Sequence, residues 1–326
     1  AAAAVTLFDF PGRRTFEWLL LLPLAMPAYV TAYAYTDFLQ FSGPLQVGLR
    51  NTFGLEGRLL PEVRSLGGAV WVFIFSLYPY VYLLARTALG ERAAHLMEAA
   101  RLLGAPLPRR IRAVALPLAR PAVAAGVALV LMETLADFGV ASYFGIQTFT
   151  TGIYKAWLSM DNRLAAAQLA TMLLVVVMAL LHLEHRAQKR MRFATGGGRA
   201  GSAEAQPLRL QGARRWAAWV VCSVPVVMGF VAPVVFMLRP LAADWSVLPW
   251  ERFMEWAWHS VRLGCITAAL AVAIALALAF AVRRQPDAIT RGVVQLASVG
   301  YAVPGAVIVV GPVSYTHLTL PTNREV

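Results

Sequence analysis

An all-α, polytopic transmembrane helical bundle is the fold class that this sequence predicts, and three observations carry the prediction. Of 326 residues, 59% are hydrophobic and only 14% charged, with a mean hydropathy of +0.62, so the preferred surroundings of the chain are lipid rather than water. Apolar runs of about twenty residues recur, the length that crosses a ~30 Å hydrocarbon core. The arginines gather between those runs rather than on one folded face. The net charge of +12 therefore reflects a positive-inside topology and not a nucleic-acid surface.

In chain order, residues 1–8 read as the tail of a membrane helix, followed by a polar turn at 9–14. A first whole span is expected over 16–38, with Pro23 and Pro27 inside it, and then a loop at 39–66 rich in glycine and turn signals. The second span, 67–89, carries Tyr78, Tyr80 and Tyr82, which do not share a helical face and are read as packing. A third span follows at 121–144, a polar, amphipathic stretch at 145–163 with Trp157 as an interfacial anchor, and a fourth span at 164–183. Residues 184–215 change character: Gly196, Gly197, Gly198 and Ser202 among many arginines make a solvated cytoplasmic linker with little to bury. Apolar runs resume at 216–238, 260–282 and 292–313. Between the first two, Trp245, Trp250, Trp256 and Trp258 suit a membrane surface. Cys222 and Cys265 each lie inside an apolar run and read as small hydrophobes rather than as a disulfide.

A repeat divides the chain. Arg14 leads thirteen residues later to Pro27, and Arg291 thirteen residues later to Pro304, an offset of 277. This gives a first half at 1–183, the linker at 184–215 and the start of a second half at 216–312, as in parallel-repeat transporters. Both ends are expected to be truncated. The start lacks methionine, and residues 313–326 read as a non-native tail in which VSYTHLTLPT resembles a translated sequencing adapter.

The stretch around which the rest is organised is the basic, amphipathic island at 91–120. Leu96, Ala100 and Leu103 continue one apolar face from Leu89 and Ala93, while Ile111, Val114, Ala115 and Leu118 form another. Gly104, Pro106 and Pro108 between them cannot continue one straight helix, so two short helices joined by a bend are expected. Glu98, Ala99 and Ala100, then Gly104 four residues later, then Val114, Leu116 and Pro117, resemble the EAA loop of the membrane permeases of ATP-binding-cassette importers. Val114 stands where isoleucine is usual. The resemblance implies a coupling element held by a separate cytoplasmic ATPase dimer. In it Glu98 is the polar anchor, Gly104 permits the bend, and Leu116 and Pro117 end the second helix against the membrane. It also implies a multi-pass protein of the bacterial inner membrane, served by a periplasmic substrate-binding protein. No G-x-x-x-x-G-K-[ST] occurs in the sequence, so ATP is assigned to the partner subunit, no cofactor to this chain, and the chain is read as a transport subunit rather than an enzyme. With the island on the cytoplasmic side, alternating the spans puts the turn at 9–14, the linker and the arginines at 283, 284 and 291 on the same side.

Glu133 and Asp137 are the ionisable pair of interest. Four residues apart on the third span, they are expected on one helical face, with Glu133 near the membrane centre, where a charge costs roughly 2.5 to 3.5 kcal/mol. That cost argues for a wet translocation path favouring a cation or, equally, for a pairing with the tyrosines that holds helices together. The segments ETLADFGVASYFG, FDFPGRR, SLYPYVYLLAR and GYAVPGAVI are similar to fused, two-half permeases of ferric iron importers, which implies iron(III) as the cargo. Related permeases for thiamine, sulfate, polyamines or phosphonates share the architecture. His182 and His185 flank Glu184 at a span end and read as an interfacial pair rather than a metal site. Two rivals use the same residues differently: an ion-coupled secondary transporter relaying protons or sodium through Glu133 and Asp137, and a non-transporting membrane anchor. Neither has a use for the island.

Overall fold

Among the described residues the long apolar runs are helical, because a backbone in lipid has to satisfy its own N–H and C=O groups. The computed structural model describes residues 1–90, 94–194, 208–243 and 249–284, with scattered positions from 287 to 307. Among them five helices are long and apolar enough to cross a membrane, or six if one bent pair counts as a span.

Residues Ala1–Phe236 form one compact unit. It opens with α1 (Ala2–Leu7), a two-residue strand β1 (Phe8–Asp9), α2 (Arg13–Leu19), a 3-10 turn at Leu22–Ala25 and α3 (Ala28–Leu39). The single span expected over 16–38 is therefore broken, and the segments Arg13–Ala25 and Ala28–Phe53 meet at 87°. Pro27 is the cause: it has no N–H to continue a helix and biases the preceding residue to extended backbone, and Met26 sits at φ −114, ψ 120. The expected loop at 39–66 also contains a helix, α4 (Pro44–Phe53), which begins on a proline and ends at Gly54 in the left-handed region. Gln46 inside it is buried, donating to the Leu39 carbonyl at 2.7 Å and accepting from the Leu59 N–H at 3.1 Å.

The second span is α5 (Leu66–Ala88), started by Ser65, whose hydroxyl accepts from the Gly68 N–H. The island gives α6 (Ala94–Leu102) and α7 (Leu107–Arg110). One turn of π-helix at Ile111–Ala115 then runs straight into α8 (Leu116–Ala136). Leu116 and Pro117 therefore do not end the second island helix, as the sequence leads one to expect. The helix is unbroken over thirty residues, Leu107–Ala136. The Leu116 N–H bonds back five residues to the Ile111 carbonyl, and this widened turn makes room for the Pro117 ring. After α8 come α9 (Gly139–Phe144), α10 (Phe149–Tyr154), a second π-turn at Lys155–Ser159 and α11 (Arg163–Ala194). Part of the 184–215 segment is thus helical. Farther on, β2 (Leu208–Arg209) lies parallel to β1, Phe8 opposite Leu208 and Asp9 opposite Arg209; residues 195–207 lie outside the described set. α12 (Ala213–Val226) leads through a third π-turn, Val227–Val231, into α13 (Ala232–Ala243).

Two close approaches hold this unit together. α5 and α8 meet at Gly126, where a β-carbon would stand 2.6 Å from the Val81 Cα, the kind of small-residue contact that replaces the hydrophobic effect between helices in lipid. Pro79 deprives the Phe75 carbonyl of its helical donor, and Gly229 of the third π-turn lies directly against that oxygen. The same π-turn frees the Met228 carbonyl, because the Ala232 N–H bonds to Val227 instead and Pro233 has none to offer. Tyr35 donates its hydroxyl to it at 2.6 Å.

Residues Met237–Val303 form a second compact unit, whose long element is α14 (Trp250–Arg284), with Trp250, Trp256 and Trp258 near its start. The boundary between these two units falls within α13. Trp245, most of 292–313 and the whole of 313–326 lie outside the described residues.

Candidate functional site

The EAA-like pattern is a helix ending written in sequence. Gly104, at φ +77, is the left-handed residue after α6. Its N–H bonds to the Arg101 carbonyl at 2.9 Å, and the Ala105 N–H to the Ala100 carbonyl at 3.0 Å, the paired bonds of a Schellman motif. The spacing of Ala100 and Gly104 is set by that geometry, since the glycine must follow the accepting carbonyl by four residues. Pro106, extended, then starts α7.

The resulting bend has a fixed foot and a bare tip. Met97, only 4% exposed, packs with Leu7, Leu89, Ala115 and Ala119, so the island is seated on α1 and the base of α8. Val114 joins this cluster from the edge. Glu98 and Ala99 face outward, Ala100 is half-buried, and Leu116 and Pro117 are exposed at the root of α8. Leu102 and Leu103, at the turn itself, are 85% and 87% exposed. Arg109 and Arg112 are exposed beside them, while Arg110 is buried at 8% and reaches the Met97 carbonyl at 3.4 Å, tying α7 to α6. Arg110 lies four residues before Val114, on the apolar face, and that spacing was the available signal for its burial.

A second set of residues braces the foot and was not anticipated. Glu17 of α2 accepts from Arg86 at the end of α5 at 2.8 Å and pairs with Arg13 one turn back at 3.3 Å. Arg13 also donates to the Val5 carbonyl at 2.6 Å, and the Tyr82 hydroxyl to the Glu17 carbonyl at 3.2 Å. The i,i+4 spacing of Arg13 and Glu17 was legible, whereas the Arg86 partner depends on the tertiary fold.

Glu133 and Asp137 do not share a helical face. α8 ends at Ala136, and Asp137 has extended backbone, φ −68 and ψ 128. Its carboxylate caps α9, accepting from the Val140 and Ala141 N–H groups at 2.9 and 3.3 Å, while Thr150 donates to its carbonyl at 2.6 Å. Glu133 stands in the last turn of α8 rather than at mid-span, half-buried, and accepts from the Tyr80 hydroxyl on α5 at 3.4 Å. An acidic group in the last turn of a helix opposes the macrodipole, so helix stability alone does not account for it. His182 ends the apolar stretch of α11 and is exposed; the side chains of Glu184 and His185 lie outside the described residues.

The family model described as the binding-protein-dependent transport system inner membrane component matches residues 1–192, more than half of the 326. The chain belongs to this family. As a binding-protein-dependent inner-membrane component it is a multi-pass protein of the inner membrane, and the bundle of long apolar helices accords with that placement. It is similar to the Fe(3+)-transport system permease protein FbpB 2 of Haemophilus influenzae, 25% identical over 175 residues, which is 53% of this chain and 30% of that protein. A protein named as a molybdenum ABC transporter permease in Haloferax volcanii is 29% identical over 180 residues, 54% of this chain and 62% of its own. The sulfate transport system permease protein CysT of Salmonella typhimurium is 30% identical over 144 residues, 43% of this chain and 48% of its own. The chain spans less than two thirds of the length of each of these relatives. The matched region holds the island, its foot and the segment that carries Glu133 and Asp137.

Proposed function

We propose that the chain is the membrane-spanning part of an ATP-driven importer, and that a separate cytoplasmic ATPase dimer takes hold of its bent island. The observation that carries this reading is the tip: Leu102 and Leu103, 85% and 87% exposed, stand near outward-facing Glu98 on a foot packed against α1 and the base of α8. Two large apolar side chains exposed together among charged residues support a surface that a partner covers. Closing of the partner around ATP would push on the tip, and the unbroken helix from Leu107 to Ala136 would carry that push into the α5–α8 pair and rock the spans between outward and inward access. A periplasmic binding protein delivers the cargo.

The cargo we favour is iron(III). The segments ETLADFGVASYFG and SLYPYVYLLAR, the similarity to a permease named for Fe(3+) and the half-buried Glu133 support it. A second reading, an oxyanion cargo, is favoured by Asp137, whose carboxylate is spent on backbone N–H groups, and by the relative named for sulfate. The test is uptake of radioactive iron(III) and sulfate into proteoliposomes holding the complete transporter. Iron accumulation that requires ATP and the binding protein supports the first reading, and sulfate accumulation the second. Uptake that survives without ATP and collapses with the ion gradient contradicts both.

A further inference from the structure

The corner where β1 meets β2 is a built basic cavity that the coupling mechanism does not use. A cavity of about 440 Å3 is lined by Asp9, Phe10, Pro11, Arg209, Gly212 and Arg215. The segment after the β2 strand is held against the turn before α2 by the Leu210 N–H to the Asp9 carbonyl at 2.9 Å. The Trp219 indole donates to the Pro11 carbonyl at 3.0 Å, and its ring meets Phe16 edge-on at 4.9 Å.

Arg209 and Arg215 line the cavity, and Arg14 and Arg214 lie within three residues of its lining along the chain. Arg14, Arg209, Arg214 and Arg215 are exposed, and among the described residues none has a carboxylate partner. Asp9 at the cavity edge offsets one of the four charges. Arg214 and Arg215 occupy the first turn of α12, where the helix macrodipole disfavours cations, so they are not there for the helix. The two helices that start at this corner carry exposed tryptophans, Trp18 at 74% on α2 and Trp216 at 64% on α12. Arg215 lies over the Trp216 ring at 5.7 Å. Tryptophan beside arginine at the ends of membrane spans marks the headgroup layer.

We propose that this corner binds the phosphate headgroup of an anionic phospholipid from the adjoining leaflet. Guanidinium forks match phosphate oxygens, the cavity accepts a group of that size, and exposed indoles suit the glycerol level of a bilayer. The site would anchor the segment preceding α12 to the membrane surface and to the turn before α2. It stands on the geometry of this corner and is independent of the cargo.

The experiment uses the full chain in phosphatidylcholine nanodiscs containing spin-labelled phosphatidylglycerol, and reads the motionally restricted lipid fraction by electron paramagnetic resonance. Substituting Arg209→Gln, Arg214→Gln and Arg215→Gln together should weaken the bound fraction on the order of tenfold or more, from the roughly 1 kcal/mol that each basic residue contributes near an anionic surface. The three lysine replacements should keep most of the binding, and Arg50→Gln with Arg58→Gln all of it. Should the triple variant not keep its helical content, Arg209→Gln alone, outside every helix, should still weaken binding several-fold. Binding by a folded triple variant equal to that of the parent overturns the proposal. Displacement of the lipid by an equal concentration of inorganic phosphate also overturns it, in favour of a free-anion site.

Discussion

At Gly104 the backbone leaves little choice of residue. Its φ of +77 costs a residue with a β-carbon roughly 1 to 2 kcal/mol, and the two Schellman bonds around it hold the tip in place. Gly104→Asp should therefore leave membrane insertion intact yet loosen the bend, so that a reconstituted transporter hydrolyses ATP without matching uptake; coupled transport at the parental ratio contradicts the role. Glu98→Lys should act alike, reversing charge at an exposed position without touching the foot. Glu17 is a different case. It is the shared carboxylate of Arg13 and Arg86, and its side chain is only 16% exposed. Glu17→Gln should lower stability by about 1 to 2 kcal/mol, less than a fully buried pair because Arg86 is partly solvated. A thermal melt in detergent checks this, with Glu62→Gln, whose exposed pair with Arg58 contributes little, as the control.

Between the residue and the whole lie the breaks in the helices, and here legibility was uneven. The Gly104 bend was readable because glycine and two prolines carry their meaning locally. α5 and the apolar part of α11 were readable because, in lipid, length and hydropathy decide nearly everything. The break at Met26 and Pro27, the helix α4 and the end of α8 before Asp137 were not read, although each has a local cause: proline after an extended residue, proline at a helix start, an aspartate cap. Apolar composition ran through the first and the last, and a run of hydrophobic residues does not say where a helix within it stops; α4 was hidden by the glycine and turn signals around it. The π-turns were beyond the sequence for another reason. A widened turn leaves a carbonyl unpaired, and whether that is tolerable depends on a distant donor, here Tyr35 for Met228. Tyr35→Phe should leave that carbonyl without its bond and lower thermal stability by about 1 kcal/mol, the usual scale for a hydrogen bond between membrane helices. A melting temperature unchanged within error would show that the third π-turn does not need this tie to α3.

For the whole molecule, the claim that organises the rest is that the bent island is the point where an ATP-driven partner grips the bundle from the cytoplasmic side. The sequence made the island legible through the spacing of Glu98, Ala99, Ala100 and Gly104. It did not reveal that α7 and α8 form one rod, or that α1 and the Glu17 brace hold the foot, because both depend on packing. A rod with a braced foot is what a lever needs, since a hinge at Leu116 would absorb the movement that has to be transmitted. The most direct test is labelling of a single cysteine at the tip, Leu103→Cys, with a membrane-impermeant maleimide in right-side-out and inverted vesicles of the intact transporter. The account predicts labelling only in inverted vesicles, and protection there when the ATPase subunit is bound. Labelling from the outer side, or labelling indifferent to the ATPase, would contradict it.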